Sequence, residues 1–134
     1  MALPLEGQTA LITGASGGIG AACVRALAEA GADVAGCDLR FTEYGTSAIE
    51  SAKGLGRRVY TSTFDISDPA AGQQFAADAQ RELGNLRLHV SAAVYSDREP
   101  FVSAGLAGFR KTIDISMWGS FFMLRAVSQG SCPR

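Results

Sequence analysis

The sequence predicts an α/β fold, a doubly wound parallel sheet that stops after about four strands and carries helices on both faces. Three observations predict it. Strand-like apolar runs alternate with helical spacing along the chain, a glycine cluster separates the first strand from the first helix, and an aspartate closes the second strand.

Ala10, Leu11 and Ile12 form a short apolar run suited to a strand buried on both faces, which places the first strand at 8–13. Gly14 then makes a tight turn at no steric cost. Ile19, Cys23, Leu27 and Ala30 recur at helical spacing and give a helix over 18–30, with Gly31 where a C-terminal cap belongs. The stretch DVAGCD supplies the second strand, 33–37, ending at Asp38. A helix over 46–54, a strand over 58–64 and a helix over 69–83 follow. Asp68 and Pro69 mark the start of that third helix, the acid as N-cap and the proline in the first turn. Phe75, Ala79 and Leu83 give it one apolar stripe, and Gly84 closes it. A strand over 86–92 leads into one long loop, 94–105, expected over the carboxyl edge of the sheet, and then a helix over 106–128. The whole of 1–134 reads as a single domain, with 129–134 an atypical tail in which Gly130 and Pro133 break helical spacing.

The glycine cluster TGASGGIG has a chemical reading. A strand-to-helix junction offers unpaired N–H groups and the positive end of a helix dipole, a setting that suits a phosphate. Gly18 lets a ligand approach the backbone, Gly20 lets helix and strand pack closely, and Thr13 and Ser16 add hydroxyl donors at the same edge. Asp38, about eighteen residues beyond Gly20, stands where a carboxylate accepts both hydroxyls of an adenosine ribose. Loop, strand and acid together point to an adenine dinucleotide.

Composition narrows the classes. Twelve basic and thirteen acidic residues leave a formal charge of −1 with no basic run, so nucleic acid is not an expected partner. No stretch approaches the roughly 18 apolar residues of a membrane span, and the amino terminus lacks the basic region of a signal peptide. The three cysteines have neither metal-ligand nor redox spacing. Cys23 and Cys37 read as buried small hydrophobes of a reducing, cytoplasmic compartment. No metal site is expected.

On these residues the chain resembles the short-chain dehydrogenase/reductase family, over residues 6–128 and the amino-terminal, cofactor-binding half of a typical member. The resemblance rests on TGASGGIG, on Asp38, and on DISD, in which Asp65 matches the family's adenine-ring contact. It implies a Rossmann-type fold and cofactor contacts at Thr13, Gly14, Ser16, Gly18, Ile19, Gly20, Asp38, Leu39, Asp65, Ile66, Ala92 and Ala93. It favours NAD over NADP, because Ala15, Ser16 and Leu39 occupy positions where NADP-preferring members carry a basic residue.

The sequence also departs from the family pattern. Where members carry Asn-Asn-Ala-Gly, it has Ser91-Ala92-Ala93-Val94, and the family's catalytic asparagine falls at Ser116. The family's Tyr-x-x-x-Lys is missing: Tyr44, Tyr60 and Tyr95 are followed four residues later by Ala48, Phe64 and Glu99.

Two functions are therefore expected as alternatives. One is an oxidoreductase acting on alcohol or carbonyl groups, represented here by its cofactor-binding part. The other is a catalytically silent module that binds nucleotide or a partner, its tail reading as a truncated frame. His89, the single histidine, reads as a satisfied strand residue rather than a triad member. The last helix is apolar on two sides, with Phe109, Ile113, Met117 and Leu124 on one and Ile115, Trp118 and Phe122 on the other. It is expected to mediate homo-oligomerisation or hetero-association, with Phe121 and Met123 joining the exposed cluster.

Overall fold

A computed structural model describes residues 2–131. Four parallel strands, β1 (Thr9–Thr13), β2 (Asp33–Asp38), β3 (Val59–Thr63) and β4 (Leu86–Ser91), lie in the order β3-β2-β1-β4. Every strand pairing is parallel, with Leu11 of β1 aligned with Ala35 of β2 and with His89 of β4. Between them run α1 (Gly18–Glu29), α2 (Glu43–Gly54) and α3 (Pro69–Leu83). The last helical stretch has three parts: α4 (Leu106–Thr112), a π-helical segment (Ile113–Gly119) and α5 (Ser120–Ser131).

Strand β1 is buried along its whole length and divides the core in two. Leu11 faces a cluster built with Cys37, Phe75, Ala79, Met123 and Val127, where α3 and α5 cover one side of the sheet. Ile12 faces the opposite cluster, with Val24, Ala28, Val34, Ile49 and Ala52 from β2, α1 and α2. Alternate residues of one strand thus serve two helical layers, as the period of two requires.

The expected helix ends hold at several points. Asp68 accepts hydrogen bonds from the N–H groups of Ala70 and Ala71, with Pro69 in the first turn of α3. At the end of α1, Gly31 takes φ +107°, and the N–H groups of Gly31 and Ala32 donate to the carbonyls of Ala28 and Leu27. That pairing satisfies carbonyls the helix leaves open and needs a residue free of Cβ strain.

Other expectations need correction. Helix α2 starts at Glu43 rather than 46, because the Thr42 hydroxyl caps it by accepting from the Gly45 N–H. The buried face of α1 is Gly20, Ala21, Val24 and Ala28, whereas Ile19 is 77% exposed and Cys23 only half-buried. Small residues win that face because α1 lies close against the sheet: a Cβ on Gly20 would collide with the Gly14 carbonyl oxygen.

The last helix faces the core with Ile115, Gly119, Met123, Ala126 and Val127, while Met117 and Leu124 are about half-exposed at 52% and 56%. The π segment inserts extra residues per turn, so a continuous 3.6-residue period misassigns positions on either side of it. Met123, expected in the exposed cluster, is fully buried, and the helix continues through Gly130 instead of breaking there. Pro133, the other expected breaker, lies outside the described residues.

Candidate functional site

All four strands of a parallel sheet deliver their carboxyl ends to one edge, and a crevice opens there where connections diverge to opposite faces. In this chain that edge holds a cavity of about 460 Å³, within the range of small-molecule sites. Its floor is the glycine turn. Gly14 adopts φ +66°, and a Cβ there would stand 2.6 Å from the Ala93 nitrogen, so the chain after β4 can pass against it only because it is glycine. Gly17 and Gly18 open the first turn of α1 toward the cavity, Gly17 as an N-cap without a side-chain hydrogen bond. A Cβ on Gly18 would meet nothing within 4 Å.

Sheet order sets the polarity of the cavity. Asp38 ends β2 and Leu39 follows it, and Asp65 and Ile66 follow β3, on one side of the glycine turn. Ala92, Ala93, Val94 and Tyr95 follow β4 on the other. The Asp38 carboxylate accepts from the Leu39 N–H at 2.7 Å through Oδ1 and from the Ser16 N–H at 3.0 Å through Oδ2. Asp65 accepts from both the N–H and hydroxyl of Ser67. Acidic groups thus mark the β2–β3 end. At the β4 end Lys111 also lines the cavity, its ammonium 4.4 Å from the centroid of the Tyr95 ring.

Gly14, Gly18, Ile19, Gly20, Asp38, Leu39, Asp65, Ile66, Ala92 and Ala93 therefore meet in one cavity, drawn from four connections of the sheet. Thr13 and Ser16 do not line it. Both are buried, and their hydroxyls are engaged within the protein: Thr13 Oγ1 accepts from the Ala93 N–H at 3.4 Å, and Ser16 Oγ binds Thr42. These bonds commit the Ser16 hydroxyl within the protein, contrary to the expectation that it is a donor at the edge, whereas the Thr13 bond uses its oxygen as acceptor.

Ser116 is likewise committed. It sits in the π segment, where its hydroxyl donates to the Tyr95 carbonyl at 2.9 Å and accepts from the Tyr95 N–H at 3.0 Å, pinning the loop after β4 to the helix. Gly17, Phe64, Val94, Tyr95, Lys111 and Ile115 are lining residues that sequence reasoning missed, and of these Tyr95 and Lys111 carry polar groups. The position of loop 94–105 after a strand was a signal for Tyr95; Lys111 lies on a helix far from the glycine turn and carried none.

The remaining reactive groups stand apart from the cavity lining. Cys37 is buried in β2, and burial, reinforced by the Asp38 charge, pushes its thiol up to about 12, which leaves it inert as a nucleophile. His89 Nδ1 lies 3.2 Å from the Leu11 carbonyl oxygen, but its buried Nε2 has no partner among the described residues, so the ring is only half satisfied. Burial holds the imidazole below its ordinary pKa and hence neutral, in spite of the Leu11 bond.

Comparisons with known proteins agree with this architecture. The profile of the short chain dehydrogenase family matches residues 8–130. The chain is 33% identical over 125 residues to an L-rhamnose 1-dehydrogenase (NAD(P)(+)) of Sphingomonas sp. strain SKA58, covering 93% of this chain and 49% of that protein. It is 35% identical over 127 residues to a D-threitol dehydrogenase of Mycolicibacterium smegmatis, covering 93% and 48%. Among solved structures, a short chain dehydrogenase from Burkholderia cenocepacia in complex with NADP superposes with a TM-score of 0.87 at 28% identity, over 93% of this chain and 51% of that one. A short chain dehydrogenase from Mycobacterium paratuberculosis bound to NAD shares the fold with a TM-score of 0.89 at 23% identity, over 95% and 51%. The chain spans about half the length of the curated relatives it matches. With its glycine turn, parallel sheet and near-complete profile match, the chain belongs to the short chain dehydrogenase family.

Proposed function

We propose that this chain is the dinucleotide-binding part of an oxidoreductase acting on alcohol or carbonyl groups, with NAD preferred over NADP. The observation that carries the reading is one cavity joining the glycine turn of α1 to the Asp38 carboxylate. The pyrophosphate fits the opening at Gly17 and Gly18, where the helix terminus offers N–H groups and no Cβ intrudes. Asp38 receives the adenosine ribose hydroxyls, and Asp65 and Ile66 lie beside the adenine. The Ala92–Tyr95 stretch and Lys111 flank the nicotinamide end.

A nicotinamide there supplies the hydride acceptor or donor for the chemistry. The chain's own part is to bind, orient and exclude water around it. NAD is preferred because a 2′-phosphate would bring like charge against Asp38, and no basic residue occupies position 15, 16 or 39 to offset it.

The missing Tyr-x-x-x-Lys favours a second element of the reading: alone, the chain binds without turning over. A tuned proton donor contributes roughly 10²–10⁴ in rate, and the Ser116 hydroxyl is engaged with the Tyr95 backbone. Partner association is assigned to the last helix. Trp118, Phe121 and Phe122 form one aromatic cluster with ring centroids about 6 Å apart, and Trp118 and Phe121 are 45% and 49% exposed. A cluster of that kind suits a second copy or an intact relative.

Isothermal titration with NAD, NADP and ADP-ribose tests the reading. NAD should bind more tightly than NADP, and ADP-ribose should compete nearly as well as NAD because most of the holding groups face the adenosine half. NADP binding as tightly as NAD would remove the role given to Asp38.

A further inference from the structure

Residues 15–16 and 42–45 meet in a hydrogen-bonded junction behind Asp38 and Leu39, which line the cavity. The Ser16 hydroxyl accepts the Thr42 N–H at 2.7 Å and lies 3.0 Å from Thr42 Oγ1. Thr42 Oγ1 in turn donates to the Ser16 carbonyl at 3.3 Å while accepting the Gly45 N–H at 3.3 Å. With Ser16 Oγ donating to Thr42 Oγ1, every polar atom of the pair is used, so the Ser16 proton is not available to a ligand. The contact is close enough that a Cβ on Gly45 would fall 2.5 Å from Ser16 Cα. Ser16 is 5% exposed, and the neighbouring Ala15 N–H donates to the Cys37 carbonyl at 3.0 Å. The turn after β1 is thus fastened both to the end of β2 and to the start of α2.

The same turn presents the Ser16 N–H to Asp38 Oδ2, while Leu39 N–H holds Oδ1. Two fixed backbone donors leave the carboxylate one orientation and keep its remaining lone pairs free. We propose that Thr42 and Ser16 are positioning residues for cofactor selectivity: their mutual hydrogen bonds hold the Ser16 N–H where it orients the Asp38 carboxylate toward the ribose. This rests on the dinucleotide reading of the cavity. An Asp38 free to rotate loses its preoriented acceptor for the ribose hydroxyls and can also swing away from a 2′-phosphate. Loosening the junction therefore weakens NAD while sparing NADP.

The test measures dissociation constants for NAD and NADP on the full chain and on Ser16→Ala, Thr42→Val and Thr42→Ser, with thermal unfolding and Ser16 amide exchange on each. Ser16→Ala removes both bonds of the Ser16 hydroxyl but keeps the Thr42 cap of α2, so it reports even where Thr42→Val fails to fold. The NAD preference should fall about tenfold in Ser16→Ala and Thr42→Val, the scale of one charge-assisted hydrogen bond, and return in Thr42→Ser. Ser16 amide protection should be lost and regained in the same variants. An unchanged NAD-to-NADP ratio in a folded Ser16→Ala, or equal weakening of both dinucleotides, overturns the proposal while the cavity reading stands. A parent chain that binds neither dinucleotide overturns both.

Discussion

Two glycines of one turn should respond in opposite ways to the same substitution. At Gly14 an added Cβ meets the backbone of Ala92 and Ala93 at 2.6–2.8 Å, and φ is +66°. The left-handed conformation costs an L-residue about 1–2 kcal/mol, and forcing an atom into packed backbone costs about 1–3 kcal/mol more. Gly14→Ala should therefore lose roughly 2–5 kcal/mol, a large fraction of the 5–15 kcal/mol typical of a domain. At Gly18 the added Cβ meets nothing within 4 Å, and alanine suits a helical position better than glycine by up to about 1 kcal/mol. Gly18→Ala should unfold at the same urea concentration as the parent or slightly higher. Its methyl group, however, enters the space assigned to the pyrophosphate, so NAD affinity should fall at least about tenfold. Urea unfolding followed by circular dichroism gives the first quantity and calorimetric titration the second. A Gly18→Ala chain that loses stability as Gly14→Ala does, or that binds NAD like the parent, would refute the assignment of these two roles.

Further outcomes are expected elsewhere in the chain. Asp38→Ala should narrow the NAD-to-NADP ratio mainly by weakening NAD, read by titration with both; an unchanged ratio would take Asp38 off the ribose. His89 is held neutral by burial, so the unfolded chain takes up a proton near pH 6.5 before the folded chain does. Stability is then fully present above that pH and declines as pH falls through it; His89→Gln should flatten this part of the unfolding curve between about pH 7 and pH 5. Replacing Trp118 and Phe122 by serine should raise the monomer fraction in sedimentation. Burying a large apolar side chain contributes about 1.5–3 kcal/mol when complete, and these rings begin partly covered. A parent chain that is wholly monomeric at tens of micromolar would remove the association role.

What could be read from the sequence divides along a physical line. Local chemistry was legible: the buried run Ala10–Ile12, the Asp68–Pro69 start of α3 and the Gly31 cap each follow from residues adjacent in the chain. Where tertiary approach decides, apolarity misled. Ile19 belongs to an apolar stripe yet is exposed, because α1 turns Gly20, Ala21, Val24 and Ala28 inward, with no room for a Cβ at Gly20 beside the Gly14 carbonyl. The π segment at Ile113–Gly119 has no period that a 3.6-residue template detects, so two apolar sides were read without showing that Ile115 and Met123 face the core while Met117 and Leu124 do not.

The site divides in the same way. The glycine turn, Asp38 and Asp65 carry motif spacing, whereas Lys111 lines the cavity from α4, remote in sequence from all of them. Ser16 stands within the glycine motif, but its partner Thr42 lies beyond β2. Nothing local indicates that its hydroxyl faces α2 rather than a ligand.

The proposed function requires that the cavity at the carboxyl edge take an adenine dinucleotide. Amide chemical-shift mapping of the full chain during an NAD titration tests it most directly. Saturable shifts should concentrate at Gly17–Gly20, Asp38–Leu39, Asp65–Ile66 and Ala92–Tyr95, with a second cavity between α3 and α5, lined by Gln73, Ala77, Gln80 and Gln129, unaffected. No saturable shifts at millimolar NAD, or shifts confined to that second cavity, would contradict the account.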